Sequence, residues 1–182
     1  MTKRIALVLD VSGSMSGEPL EQAQREVLTI MSLFPDDGEV RVYAFSGGVA
    51  EFEAEKGWHK LPDGLLLDRA AKWLAGFVGV GTTDIGGGVA AALANPEDDL
   101  SVVLVTDGEP TIPYAAHAMA IEKAQAARKA GQAPVHVIGV RRSAWDTSPQ
   151  ERKFCEAVAS RNGGSLLLLE PAAPPGVARE PH

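Results

Sequence analysis

The 182-residue chain predicts a doubly wound α/β domain: a six-stranded, mostly parallel sheet with one antiparallel edge strand and helices on both faces. Three observations carry this expectation. Short continuous apolar runs at 4–9, 100–105 and 135–140 read as strands buried on both faces. Stretches with helical spacing separate them, as parallel neighbours require. One tight "SGG" turn at 46–48 joins two strand-like segments, and so short a connection makes an antiparallel hairpin.

The elements follow in order. "RIALVL" (4–9) is a strand that stops at Asp10. From Pro19 to about Leu33, apolar residues recur at helical spacing, with Pro19 well placed in the first turn. "EVRVYAF" (39–45) alternates as the second strand, and "VAEFE" (49–53) returns beside it. Residues 54–64 carry little signal. A helix over 65–77 precedes the loop "VGVGTTD" and a short helix near 85–94. "LSVVLV" (100–105) is the fourth strand, followed by a helix at about 115–130 and the strand "VHVIGV" (135–140). A helix near 149–161 and the strand "SLLLLE" (165–170) complete a single domain over 1–170. The proline-rich tail at 171–182, "PAAPPGVAREPH", is expected to fray.

Composition narrows the function. With 45% hydrophobic and 23% charged residues, the chain has ordinary globular usage rather than that of a disordered segment. A net charge of -7 argues against nucleic acid or an anionic membrane as the main partner. The single Cys155 excludes an intrachain disulfide and a cysteine-based zinc site, and His59, His117, His136 and His182 lack paired spacing. Asp10 cuts the first apolar run too early for a signal-peptide core, and no later run approaches a membrane span. A cytoplasmic protein is the expectation.

In the common doubly wound, Rossmann-like order, the first and fourth strands are neighbours at the topological switch point. Ligands bind there, beyond the carboxyl ends of the strands. Asp10 in "LVLDVSGSMSG" (7–17) follows the first strand, and Asp107 in "LVTDGEP" follows the fourth. The loop "GVGTTDIGGG" (79–88) reaches the fourth strand through a short helix. Alone, the first of these stretches admits a helix-capping turn, a catalytic acid or nucleophile, or a hydroxyl-built metal site. Oxygen groups collected from three loops suit a hard cation such as Mg2+, Mn2+ or Ca2+.

The constellation resembles the von Willebrand factor A domain, also found as the integrin I domain, and its metal-ion-dependent adhesion site. The family's D-x-S-x-S is "DVSGS" here, its loop threonine falls at Thr83 in "GTTDIGGG", and its T-D-G element is "VTDG". The resemblance spans roughly residues 3–170. It implies that Ser12 and Ser14 ligate Mg2+ through their hydroxyls, with Thr83 as a direct or water-mediated ligand. Asp10 and Asp107 would hold metal-bound waters and orient the serines. A Glu or Asp of a partner protein would complete the coordination. The implied function is metal-dependent protein binding rather than catalysis, in an intracellular adaptor of a multiprotein assembly, some relatives working with AAA-type ATPases.

The rival reading is a metal-dependent phosphotransferase or phosphatase with Asp10 as nucleophile. That chemistry wants a second carboxylate two residues on, where Ser12 stands, and a phosphate-binding lysine is missing at the rim. Ser12 or Ser14 as nucleophile has no histidine placed to serve as base, and no P-loop pattern is present. Plainer roles suit the neighbours. Ser16 is expected to cap the helix entered at Pro19, Asp84 to cap the short helix, and "GGG" (86–88) to allow close packing. Cys155 reads as a buried, inert thiol. Arg141, Arg142 and Trp145 lie on a loop near the same rim by topology.

Overall fold

The computed structural model describes residues 3–35, 37–141 and 149–171. Arg142, Trp145 and all but the first residue of the tail lie outside the described residues. Strand β1 (Arg4–Asp10) leads through α1 (Glu18–Leu33) to β2 (Glu39–Phe45). The hairpin strand β3 (Val49–Glu51) and a two-residue β4 (His59–Lys60) precede α2 (Gly64–Ala75) and α3 (Ile85–Leu93). Then come β5 (Leu100–Thr106), α4 (Tyr114–Ala127), β6 (Val135–Gly139), α5 (Pro149–Arg161) and β7 (Leu166–Leu168).

The sheet order is β3-β2-β1-β5-β6-β7, with β2, β1, β5, β6 and β7 parallel. Both β3 and β4 pair antiparallel with β2, at Tyr43–Phe45 and at Glu39–Val40 respectively. They form one edge interrupted by the turn at 52–58, which makes seven strands among the described residues where the sequence predicts six. The strand β4 is too short for periodicity to reveal, because two residues held by backbone pairing need no side-chain pattern.

Alternation along the strands divides the core in two. Leu7 and Leu9 of β1, with Val103 and Val105 of β5, face α1 and α2, whose buried residues Leu20, Ala23, Val27, Met31 and Leu66, Ala70, Leu74 keep helical spacing. Ala6, Val8, Val102 and Leu104 face the other way, against Ile85 and Val89 of α3, Ile121 of α4 and Phe154 of α5. Each fully buried Leu or Val is worth about 1.5–3 kcal/mol by area. This double burial explains the unbroken apolar runs. In α4 the buried face is narrow: His117, Ile121 and Gln125, four residues apart. Gln125 is satisfied by a reciprocal pair, donating to the Ala133 carbonyl at 2.7 Å and accepting from its N–H at 3.1 Å.

The predicted cap at Ser16 is corrected. Gly17, at φ 82°, occupies the N-cap of α1 and makes no side-chain cap. The helix begins at Glu18, so the hydroxyl of Ser16 stands one residue too early. Asp84 does cap α3, accepting from the Gly87 N–H at 2.9 Å. The glycines of that helix are packing positions: a methyl on Gly88 would lie 2.6 Å from the Phe45 ring, and one on Gly86 2.9 Å from the His117 Cα.

Candidate metal centre

Parallel pairing of β1 with β5 sets Leu9 opposite Val105, so the next residues along, Asp10 and Thr106, meet at the carboxyl edge. Thr106 donates its hydroxyl to Asp10 Oδ2 at 2.7 Å, and the Ser12 N–H donates to Asp10 Oδ1 at 2.9 Å. Thr106 Oγ1 in turn accepts from the Gly108 N–H at 3.0 Å. Asp10 is 0% exposed, and both its oxygens are engaged. Its first task is therefore to fold the loop after β1 back on itself. Asp107 accepts from the Glu109 N–H at 3.0 Å and shapes the loop after β5 in the same way.

The third loop is stapled to both neighbours. Gly13 donates its N–H to the Gly81 carbonyl at 3.2 Å, Val80 donates to Val11 at 3.1 Å, and Asp84 donates to Ser46 at 2.9 Å. Gly81, at φ 85°, takes a left-handed conformation that a side chain would strain. A methyl on Gly13 would stand 3.3 Å from the Gly81 carbonyl oxygen, so the close approach of the loops favours glycine there. Thr83 is bracketed by Thr111, which accepts from its N–H at 3.1 Å and donates to its carbonyl at 3.4 Å.

Ser14, Gly81, Thr83, Asp107, Thr111 and Arg141 thus share the walls of one pocket of about 430 Å3, with Asp10 and Ser12 fully buried. The Ser12 and Ser14 hydroxyl oxygens approach to 3.3 Å. Burial, and then the Asp107 carboxylate, push the Asp10 carboxyl up to about 6. Burial also raises Asp107. The Ser12 and Ser14 hydroxyls lie close enough to Asp10 and Asp107 respectively to offset part of that rise.

The residues fit a small hard cation. Two adjacent buried carboxylates carry negative charge that the surroundings incompletely offset. The serine oxygens, 3.3 Å apart, are in long hydrogen-bond contact with one another. That separation comes near the edge of about 3 Å expected for an octahedron with Mg–O bonds of about 2.1 Å. Among the described residues no group of three or more His, Cys, Asp or Glu forms a metal cluster. The donors here are two carboxylates and three hydroxyls, a set suited to magnesium rather than zinc.

All five residues singled out in the sequence, Asp10, Ser12, Ser14, Thr83 and Asp107, lie in or directly beneath this pocket. Of their neighbours, Thr106 and Thr111 escape the sequence. Thr106 reads as one more β-branched strand residue, although its place before "DG" is a signal in retrospect. Thr111 lies in a loop with no pattern at all. Glu109 and Arg141 also line the pocket, and Arg141 stands 3.9 Å from Glu151 of α5. Cys155 is buried, and its surroundings push the thiol up to about 12, out of range for reactivity.

The family model for the von Willebrand factor type A domain matches residues 3–164. No curated protein sequence is significantly similar to the chain. Among solved structures, the chain is similar to a von Willebrand factor type A protein from Catenulispora acidiphila, with TM-score 0.73 and 19% identity. That likeness covers 92% of this chain and 38% of the other, so the chain spans well under half of that relative. An aerotolerance-related membrane protein from Bacteroides fragilis matches with TM-score 0.62 and 19% identity, over 92% of this chain and 91% of that one. The manganese-loaded TRAP protein of Plasmodium vivax matches with TM-score 0.64 and 16% identity, over 92% and 68%. At such identities the likeness establishes the α/β fold.

Proposed function

The chain belongs to the von Willebrand factor type A domain family, a group of interaction and adhesion modules, and on that premise we propose that it captures an acidic side chain of a partner protein through one bound divalent cation. The observation that carries this reading is the convergence of the Ser12 and Ser14 hydroxyls, 3.3 Å apart, above two buried and underneutralised aspartates. Ser12 and Ser14 would hold the cation directly, and Thr83 directly or through water. Bound there, Mg2+ supplies positive charge with a coordination position open to an outside carboxylate. Mn2+ and Ca2+ are the alternatives the same oxygens admit. The TRAP protein of Plasmodium vivax, similar in fold, is manganese-loaded, which is in keeping with this.

The chain's own residues do the preparing. Asp10 orients Ser12 through its N–H, and Asp107 holds the loop after β5 through the Glu109 N–H. Thr106 locks Asp10, and Thr111 holds the backbone of Thr83. Neutral hydroxyls as direct ligands would leave much of the cation's charge available to a partner's carboxylate. The phosphotransfer alternative is disfavoured by Asp10 itself. A nucleophile must reach its substrate, and this carboxylate is 0% exposed with both oxygens hydrogen-bonded. The biological setting we propose is an adaptor acting in the cytoplasm within a multiprotein assembly, with AAA-type ATPases among the partners it would serve. Among the described residues no helix is long and apolar enough to cross a membrane.

Titration with Mg2+ or Mn2+, followed by calorimetry and thermal shift, tests the assignment. One site is expected in the native chain and none after Asp10→Ala together with Ser12→Ala. An undiminished response in the double variant places the cation elsewhere.

A further inference from the structure

A second cavity lies beside the cation pocket. It measures about 310 Å3, toward the small end of the range for ligand pockets, and suits one or two side chains. Its walls are the β2–β3 turn (Ser46, Gly48, Val49) and the loop before Gly81 (Phe77, Val78, Val80). Large apolar side chains stand open here: Val78 is 68% exposed, Val80 59% and Val49 45%. Such side chains are ordinary singly, but three on facing walls of one groove form a patch.

The groove and the cation pocket are separated by a single ridge. Val80 lines the first and its neighbour Gly81 the second. A side chain built on Gly81 would reach Ser46 of the groove wall at 3.7 Å, so the missing side chain keeps that ridge low. The ridge is also firm. Val80 is bonded to Val11, the Gly81 carbonyl to Gly13, and Asp84 to Ser46. Another exposed apolar residue, Ile112 at 44%, follows the pocket residue Thr111.

We infer that the partner presents its acidic residue in an extended segment with a large apolar residue a few positions away, and that this residue seats between Val49 and Val78–Val80. The inference rests on the proposed capture of a carboxylate at the cation. The cation selects the acid, and the groove distinguishes one acidic segment from another. The net charge of -7 disfavours an anionic lipid surface as the occupant. It also makes a second negative group near the captured acid unfavourable.

The test uses the 15N-labelled chain in saturating Mg2+ and blocked glycine-based peptides with one Glu. A Leu is placed one, two or three residues to either side, and control peptides replace Leu by Gly or Glu by Gln. At the best spacing the Leu peptide should bind at least about fivefold tighter than its Gly counterpart. It should also shift the amides of Val49, Val78 and Val80. Val78→Ser with Val80→Ser should erase that advantage and leave the Gly peptide's affinity unchanged. Both residues are exposed, so folding should be little affected. Leu65→Ser, an equally exposed change on α2, should do nothing. If the Gly peptide binds with Mg2+ and Leu helps at no spacing, the groove is overturned while carboxylate capture stands. If the Leu advantage persists with Gln in place of Glu and without Mg2+, capture fails and the groove stands as an apolar peptide site. If no peptide binds under any condition, both fail.

Discussion

Asp107→Asn should stabilise the metal-free domain while destroying its response to Mg2+. In the native chain, burial and the neighbouring carboxylate hold Asp10 well above the ordinary range, and Asp107 is itself buried. Removing the Asp107 charge relieves its own burial penalty and its repulsion of Asp10. The amide keeps an oxygen to accept from the Glu109 N–H, as the carboxylate does at 3.0 Å. A gain on the order of 1 kcal/mol in chelator is expected, because the amide buries no charge and does not repel Asp10. In a chain of 182 residues that raises Tm by about 2–4 °C. In Mg2+ the order reverses. The native chain should gain about 3 kcal/mol at a hundredfold excess over Kd, and the variant almost nothing. A purely structural Asp107 would instead make the variant less stable in both buffers.

The second large effect is on pH. Asp10 has its carboxyl raised from 3.8 to about 6 in the folded chain. Between those values the folded chain binds the proton more tightly than the unfolded chain, so stability falls as pH rises across that window. At about 1.4 kcal/mol per unit, the loss amounts to roughly 3 kcal/mol once pH exceeds the upper value. Asp107, also raised, acts in the same direction. His117, buried and held low, acts in the opposite sense, losing stability as pH falls. The difference between melting in Mg2+ and in chelator removes the His117 contribution and isolates the carboxylates. That difference should be small near about pH 4.5 and large near about pH 7.5, because protons and the cation compete for one charge. A difference that does not change with pH would mean that the cation sits away from Asp10.

Strong signals in the sequence correspond to strong physical constraints. Strands β1 and β5 are legible because burial on both faces demands unbroken apolar runs, and Asp10 and Asp107 stand out because they break those runs. The loops are legible through their glycines: Gly13 and Gly81 meet at a close backbone contact. Weaker signals fail where the chain uses backbone geometry instead of side chains. At α1, Gly17 with positive φ takes the place that the sequence predicts for Ser16, and β4 exists only by pairing with Glu39 and Val40. Thr106 and Thr111 act across chain separations of 96 and 28 residues, which no local pattern encodes. The apolar groove is hidden for the same reason. Val49 and Val80 come together only because the β2–β3 turn and the Gly81 loop are bonded at Ser46 and Asp84.

A single cation held between three loops is the central claim, and crystals grown with Mn2+ address it most directly. Anomalous scattering should give one strong peak within bonding distance of the Ser12 and Ser14 hydroxyls, beside Thr83 and above Asp10 and Asp107. A peak at some other cluster of side chains, or none at a Mn2+ concentration that raises Tm, would contradict it.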